Sequence, residues 1–285
     1  VKLIQDRLEM ADLATGWRGQ GLKIALVPTM GWFHAGHLAL MHEARQRADR
    51  VVVSLFVNPI QFGQGEDLAA YPRDLPRDMA LAADEAIDVL YAPTVSDMYP
   101  AGFQTTVRVA ELGRGLCGVS RPGHFDGVCT VVMKLFSQTR AHLAVFGEKD
   151  FQQLAVIKRM VRDLDLAVDI VSHPTVREAS GLALSSRNSY LQEDEREQAL
   201  CLSRAIHLAR EKVRGARHPL SAVALRLEVE ENISRVPGCV VEYVEIVDAD
   251  SLERCETVDV NSRLILAVKI HERVRLIDNA RLFEL

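Results

Sequence analysis

A chain of 285 residues, 48% hydrophobic and 26% charged, is long enough for one large or two ordinary globular domains. Its formal net charge of −5 supplies no basic face for nucleic acid. No stretch approaches the roughly 18–20 apolar residues of a membrane span, and the charged, amphipathic start from Val1 to Met10 holds no secretory apolar run, so a cytosolic protein is expected.

Along the chain, apolar residues at helical spacing (Leu3, Ile4, Leu8, Met10, Ala11, Leu13, Ala14) predict a helix over residues 3–17, stopped by Gly19 and Gly21. Lys23 to Val27 reads as a buried strand, followed by a turn and a helix beginning near Gly36. Val51 to Val57, Ile87 to Tyr91 and Leu143 to Phe146 read as further strands, with helical patterns between them. Near-continuous apolar strands alternating with helices indicate an α/β fold with a parallel sheet covered on both faces. The glycine-bearing segment from Gly102 to Gly127 reads as a loop region. After about residue 174 the texture changes. Helices are expected over Glu193–Val213 and Leu220–Ile233, and β-branched strands over Val240–Val247, Leu264–Ile270 and Val274–Ile277: a smaller α+β domain with antiparallel pairing. The five cysteines (Cys117, Cys129, Cys201, Cys239, Cys255) include no CxxC pair and read as reduced thiols rather than a disulfide framework or a zinc knuckle.

The segment Pro28-Thr29-Met30-Gly31-Trp32-Phe33-His34-Ala35-Gly36-His37 carries the strongest chemical signal. It leaves the end of a predicted strand and enters a helix, and ligands of open parallel sheets bind at the carboxyl ends of strands. The helix start offers free N–H groups to phosphate, and His34 and His37 place two imidazoles beside the same anion. Two exposed loop histidines, or a metal-binding pair, are the plainer readings of HxxH; no third ligand stands at a metal-site spacing. Three further segments add to it. Leu184-Ser185-Ser186-Arg187-Asn188 offers hydroxyls and a guanidinium suited to phosphate oxygens, although serine-rich turns are common. Gly147-Glu148-Lys149-Asp150, at another strand end, suits nucleotide hydroxyls, phosphate or magnesium, or is an ordinary charged helix start. Phe56-Val57-Asn58-Pro59-Ile60-Gln61-Phe62 sets neutral amides among apolar groups, which fits a small ligand bearing hydroxyls and methyls.

Taken in order, the motifs HxGH, FVNPxQF, RPGHFxGV, GEKDFQQL and GLALSSRN resemble those of the pantoate–β-alanine ligase family, and the match in spacing runs on to Leu276-Ile277-Asp278-Asn279. HxGH and SSRN also resemble the paired signatures of the wider nucleotidyltransferase superfamily. The resemblance implies a Rossmann-like domain over residues 1–174 that binds ATP and pantoate, a smaller C-terminal lid domain over residues 175–285, and a homodimer. It implies ATP binding by Met30, Gly31, Trp32, Phe33, His34, Ala35, Gly36 and His37, by Gly147, Glu148, Lys149 and Asp150, and by Val176, Leu184, Ser185, Ser186 and Arg187. His37 matches the family's catalytic histidine; His34, Lys149 and Arg187 are expected to serve catalysis with it. Gln61 and Gln153 match the pantoate-binding glutamines, with Asn58 beside them. Phe33, in place of the usual leucine, and Ser180, where aspartate is common, depart from the pattern without removing a polar group it needs.

The reaction so implied joins (R)-pantoate to β-alanine with ATP through a pantoyl adenylate, releasing pyrophosphate and then AMP. Mg²⁺ is expected with the phosphates and no protein-held metal is expected. Glutamine amides both donate and accept without adding a charge that would blunt the attacking carboxylate. A nucleotidyltransferase acting on a phosphate would favour a basic acceptor site. A nucleotide sensor would tolerate loss of His37 or Lys149. A tRNA-binding synthetase fragment is disfavoured by the net charge of −5.

Overall fold

In the computed structural model, which describes residues 1–63, 65–216 and 219–283, the apolar runs become the strands of a six-stranded parallel sheet. Its elements are β1 (Lys2–Ile4), α1 (Arg7–Gly19), β2 (Ile24–Thr29), α2 (Ala35–Arg47), β3 (Arg50–Leu55), α3 (Leu75–Asp84), β4 (Val89–Tyr91), the short α4 (Val95–Met98) and α5 (Cys117–Ser120), α6 (His124–Thr139), β5 (Leu143–Gly147), α7 (Phe151–Asp163) and β6 (Asp169–His173). The strand order is β1-β4-β3-β2-β5-β6. Chain progression runs one way from β2 and the other way from β5, so the topological switch point lies between their carboxyl ends, where open α/β sheets bind ligands. Val27, Val51, Val53 and Val145 pack with Met41 and Ala44 of α2 and Ala82 of α3. The alternate residues Leu26, Val52 and Ala144 are equally buried on the other face. This is the Rossmann-like architecture.

The second part comprises α8 (Glu193–Ala199), α9 (Cys201–Gly215), α10 (Ala222–Ser234), β7 (Cys239–Asp248), β8 (Ser262–Ile270) and β9 (Val274–Arg281). Its three strands form an antiparallel sheet in the order β7-β8-β9. Leu202, Ile206, Ala209 and Val213 form a helical stripe on α9. With Leu225, Val229 and Ile233 of α10, they cover the face carrying Val244, Leu264, Leu266, Val268 and Leu276.

By contacts, the chain separates into two compact units. One comprises Val1–Glu148 and Gln152–Pro174, the other Lys149–Phe151 and Thr175–Leu285. The three-residue excursion has local causes within the second unit. Asn279 donates from Nδ2 to the Lys149 carbonyl (2.8 Å), and the Arg263 guanidinium lies 3.8 Å from the Phe151 ring centroid.

Several elements differ from the sequence expectation. Residues 3–17 do not form one helix: β1 pairs in parallel with β4 (Leu3↔Leu90), and the helix starts only at Arg7. Asp6 sets that start by accepting from Leu8 N and Glu9 N at 2.8 Å. The half-buried edge strand β6 has no counterpart among the expected strands. The long helix over Glu193–Val213 is two helices, separated at Leu200. The Gly102–Gly127 region contains α5 and the start of α6, and the buried Gln152 ties it down. Gln152 accepts from Cys117 N (3.0 Å) and donates to the carbonyls of Leu112 and Gly115 (2.9 and 2.8 Å). Among the described residues no helix is long and apolar enough to cross a membrane. The Cys201 and Cys239 sulfurs lie 3.5 Å apart as thiols.

Candidate active site

The loop leaving β2 is built from its backbone outward. Thr29 donates to the Ser54 carbonyl (2.6 Å) and ends the strand. Gly31 and Trp32 then take positive φ, 87° and 54°, which turns the chain back toward the sheet. At Gly31 a side chain would also meet Leu55 Cγ and Asp78 Oδ2 at 3.1 Å. The turn directs the N–H groups of Trp32 and Phe33 onto the two oxygens of Asp78 (2.7 and 2.8 Å), a residue only 1% exposed. Burial pushes the Asp78 carboxyl above its ordinary range, against the opposing pull of the two N–H bonds and of Arg77. Arg77 donates to the Phe33 carbonyl (2.8 Å) and stacks on Trp32 at 4.8 Å. Phe33, the departure noted in the motif, is fully buried in the core with Met41 and Ala44.

This scaffold delivers His34 to the N-cap of α2. Gly36 N donates to His34 Nδ1 (3.1 Å), and His34 N donates to His37 Nδ1 (3.3 Å), a reciprocal capping box made of two histidines. A backbone N–H can only donate, so each Nδ1 must be an acceptor. The proton of each neutral ring therefore sits on Nε2. The rings lie 4.0 Å apart, tilted by 31°, and carry two Nε2–H donors at the carboxyl edge of β2.

After β3, Asn58 and Gln61 bracket a single 3₁₀ turn, Pro59–Gln61. Asn58, 1% exposed, has its amide fully engaged: Nδ2 donates to Gln61 Oε1 and the Gly127 carbonyl (both 3.0 Å), while Oδ1 accepts from the Tyr99 hydroxyl (2.8 Å). It orients Gln61. Gln61 donates from Nε2 to Met30 Sδ (3.3 Å), a weak acceptor that a better one can replace. The RPGHFDGV motif has a physical reason here. A side chain at Gly127 would lie 2.6 Å from the Ile60 carbonyl, so only glycine lets α6 press against the turn. His124 donates from Nδ1 to the Gln61 carbonyl (2.8 Å) and accepts at Nε2 from Arg121 (3.0 Å). Arg121 pairs with both oxygens of Glu66 at 2.6 Å. Burial pushes the Glu66 carboxyl up, but Arg121 outweighs it and holds the group below the ordinary range. Phe62 and Tyr71 meet edge to face at 6.1 Å. Gln153 is half-buried near the start of α7.

The second unit carries the other predicted groups. A narrow hairpin, closed by the Arg177↔Ala183 bridge and by Leu184 N donating to the Val176 carbonyl (3.0 Å), leads into a 3₁₀ turn over Ser186–Tyr190. Ser185 caps that turn by accepting from Arg187 N (3.3 Å). Arg177 holds the hairpin through a two-pronged bond to Asp278 (2.6 and 2.8 Å) and another to the Gly181 carbonyl (3.0 Å). Asp278 is 2% exposed, and its attraction raises the Arg177 pKa despite opposing burial. Lys149, Ser185, Asn188 and Asp278 line one small open pocket with Leu182 and Leu276. Asn188 donates to the Ala183 carbonyl (3.0 Å), while its buried Oδ1 has no partner among the described residues. Lys149 Nζ lies 3.8 Å from Asp150, whose carboxylate is half exposed.

The chain matches the family model described as pantoate-beta-alanine ligase over residues 2–281. It belongs to the pantoate–β-alanine ligase family. A pantothenate synthetase of Trichlorobacter lovleyi is 52% identical over 279 residues, with 98% of each chain covered. The crystal structure of pantothenate synthetase from Thermus thermophilus is 42% identical, covers both chains fully and superposes with a TM-score of 0.91. That of the Francisella tularensis pantoate-beta-alanine ligase, complexed with beta-gamma ATP and β-alanine, is 33% identical, covers 98% of this chain and 97% of its own, and has a TM-score of 0.79. The family's reaction is the ATP-dependent condensation of (R)-pantoate with β-alanine to pantothenate, AMP and pyrophosphate through pantoyl adenylate, and this chain is a ligase of that kind.

Sequence reading missed Asp78, Arg77, Arg177 and Gln152. Asp78 had a usable signal, since a carboxylate at the apolar spacing Leu75, Asp78, Met79, Ala82 of α3 needs buried donors. Arg177 and Asp278 are 101 residues apart and left no local trace.

Proposed function

We propose that the groups described in the two units carry the family's two steps as follows. Pantoate sits at the carboxyl edge of the parallel sheet against Gln61 and Gln153, with Asn58 fixing Gln61 and the Met30 and Phe62 side chains meeting its methyls. Its carboxylate attacks the α-phosphorus of ATP in line, and pyrophosphate leaves. His34 and His37 donate from Nε2 to the phosphate oxygens as charge grows on them, beside Gly36 at the positive end of α2. Lys149, Ser185, Ser186 and Arg187 hold the remaining phosphate oxygens. Gly147, Glu148, Val176 and Leu184 contact the nucleoside. The β-alanine amine then attacks the acyl carbon of the adenylate, forming the amide and expelling AMP.

Mg²⁺ neutralises charge on the phosphates when it is bound with ATP. Among the described residues no cluster of three or more His, Cys, Asp or Glu side chains offers a protein-built metal cage. Asp150 is the carboxylate this chain would lend to an ion held mainly by phosphate and water. A homodimer in the cytosol, with residues 175–285 acting as a lid, completes the proposal; sedimentation velocity tests the assembly.

The observation that carries this reading is the histidine capping box, which sets two imidazoles 4.0 Å apart at the start of α2. The test is mass spectrometry of a reaction holding ATP, Mg²⁺, pantoate and β-alanine. Pantothenate and AMP in equal amounts are expected. ADP in place of AMP, or no pantothenate, overturns the proposal.

A further inference from the structure

The Leu276-Ile277-Asp278-Asn279 segment fits the family spacing, yet nothing in the two steps above uses it. It lies on β9, where successive side chains point to opposite faces. Asp278 and Asn279 therefore reach in opposite directions from one stretch of strand. Asp278 fixes Arg177 and, through it, the hairpin that presents Ser185 to Arg187. Asn279 faces the other way, donates from Nδ2 to the Lys149 carbonyl at 2.8 Å, and accepts from Arg263 Nε at 2.7 Å. Arg263 in turn lies over the Phe151 ring at 3.8 Å. Both Asn279 and Arg263 are 3% exposed.

Burying a guanidinium on a strand of a small sheet is costly unless its geometry is used. Here its plane covers Phe151 while its Nε–H fixes the Asn279 amide, which leaves Nδ2 aimed at Lys149. The chain is thus held at the Lys149 carbonyl and again two residues on, at Phe151. A lysine side chain has four rotatable bonds, and its ammonium is placed only as well as the backbone that carries it. We propose that Asn279 and Arg263 are positioning residues for Lys149, holding it beside the Ser185–Arg187 turn in the arrangement that meets the ATP phosphates. This rests on the role proposed above for Lys149.

The test is a double-mutant cycle on the full chain, read by pantoate-dependent exchange of labelled pyrophosphate into ATP, with thermal melts on every variant. Lys149→Ala is expected to lower kcat/KM for ATP by two to three orders of magnitude. Asn279→Ala is expected to lower it roughly tenfold, the scale of one buried hydrogen bond, leaving KM for pantoate unchanged. Combined, the two should match Lys149→Ala alone within about threefold, because a positioning residue has nothing left to position. Arg263→Lys keeps the charge but loses the flat stack. It is expected to behave like Asn279→Ala and carries the same criterion if Asn279→Ala does not fold. A further tenfold loss in the double variant, or equal losses for ATP and pantoate, makes Asn279 a generally structural residue and overturns the inference while Lys149 keeps its role. Unchanged exchange in Lys149→Ala removes Lys149 from the mechanism, and this inference with it.

Discussion

The loop after β2 and the turn at Ser185–Asn188 are held in place by different means. In the first, neighbours in sequence do most of the work: Gly31 and Trp32 bend the backbone and His34 and His37 cap the helix they stand on, while the buried Asp78, 46 residues on from Trp32, receives the bend. In the second, the local bonds of Ser185 and Asn188 are joined by a distant ion pair. The hairpin that leads into the turn is tied by Arg177 to Asp278, 101 residues on. A site held by local bonds should be insensitive to the rest of its unit, whereas a site held by a distant ion pair should fail when either partner goes.

The largest effect should therefore come from the distant pair. Asp278→Ala leaves the Arg177 guanidinium without its carboxylate and should cost about 3–5 kcal/mol of stability. Calorimetry should place that loss in the transition of the second unit. If Asp278→Ala melts like the wild type, the ion pair does not hold the hairpin and the contrast collapses.

Next in size is His37→Ala. It removes one Nε2–H donor and should slow adenylate formation by about 10²–10³-fold, or about 2.7–4 kcal/mol of barrier. Its capping bond is worth only ~1 kcal/mol, so the fold should persist. Circular dichroism and single-turnover kinetics on one sample separate the two. A loss of fold as large as the loss of rate would show that the loop is not locally self-sufficient.

Asp78→Asn should cost about 1–3 kcal/mol, since an amide cannot accept from both Trp32 and Phe33 as the carboxylate does. The pH dependence has a definite sign. Because the folded pKa of Asp78 is raised, its titration favours the native state below the unfolded carboxylate pKa, and that benefit is lost as pH rises through the folded value. The stability gap between wild type and Asp78→Asn should thus narrow as pH rises from acid. Denaturant melts at several pH values measure it, and a widening gap contradicts the assignment.

The smallest effect concerns Glu66, whose folded pKa is lowered by Arg121. Its contribution is present above the unfolded carboxylate value and is lost as pH falls through the folded one. In denaturant melts at several pH values, Glu66→Gln should flatten that acid limb of the stability curve, and an unchanged limb contradicts the assignment.

The same contrast explains what the sequence made legible. Val51–Val53 and Leu143–Val145 could be read as buried strands because their apolar runs are continuous, and the HxGH segment could be placed because it follows one such run. The short strand β1 was hidden by apolar residues that also fit a helical spacing. Edge strand β6 was hidden because it is half-buried and shows no apolar run. At the site, the motifs named Gln61 and His34 but not what orients them. The supports for Gln61 lie in a motif more than 60 residues on, at His124 and Gly127. Asn279 was visible only as spacing, because its meaning is a bond to Lys149, 130 residues earlier.

The central claim is that pantoate and ATP are assembled for reaction without the amine. Its most direct test is exchange of labelled pyrophosphate into ATP with only pantoate, ATP and Mg²⁺ supplied. Exchange that requires pantoate and proceeds without β-alanine is the predicted result. Exchange that appears only when β-alanine is added would contradict the adenylate route.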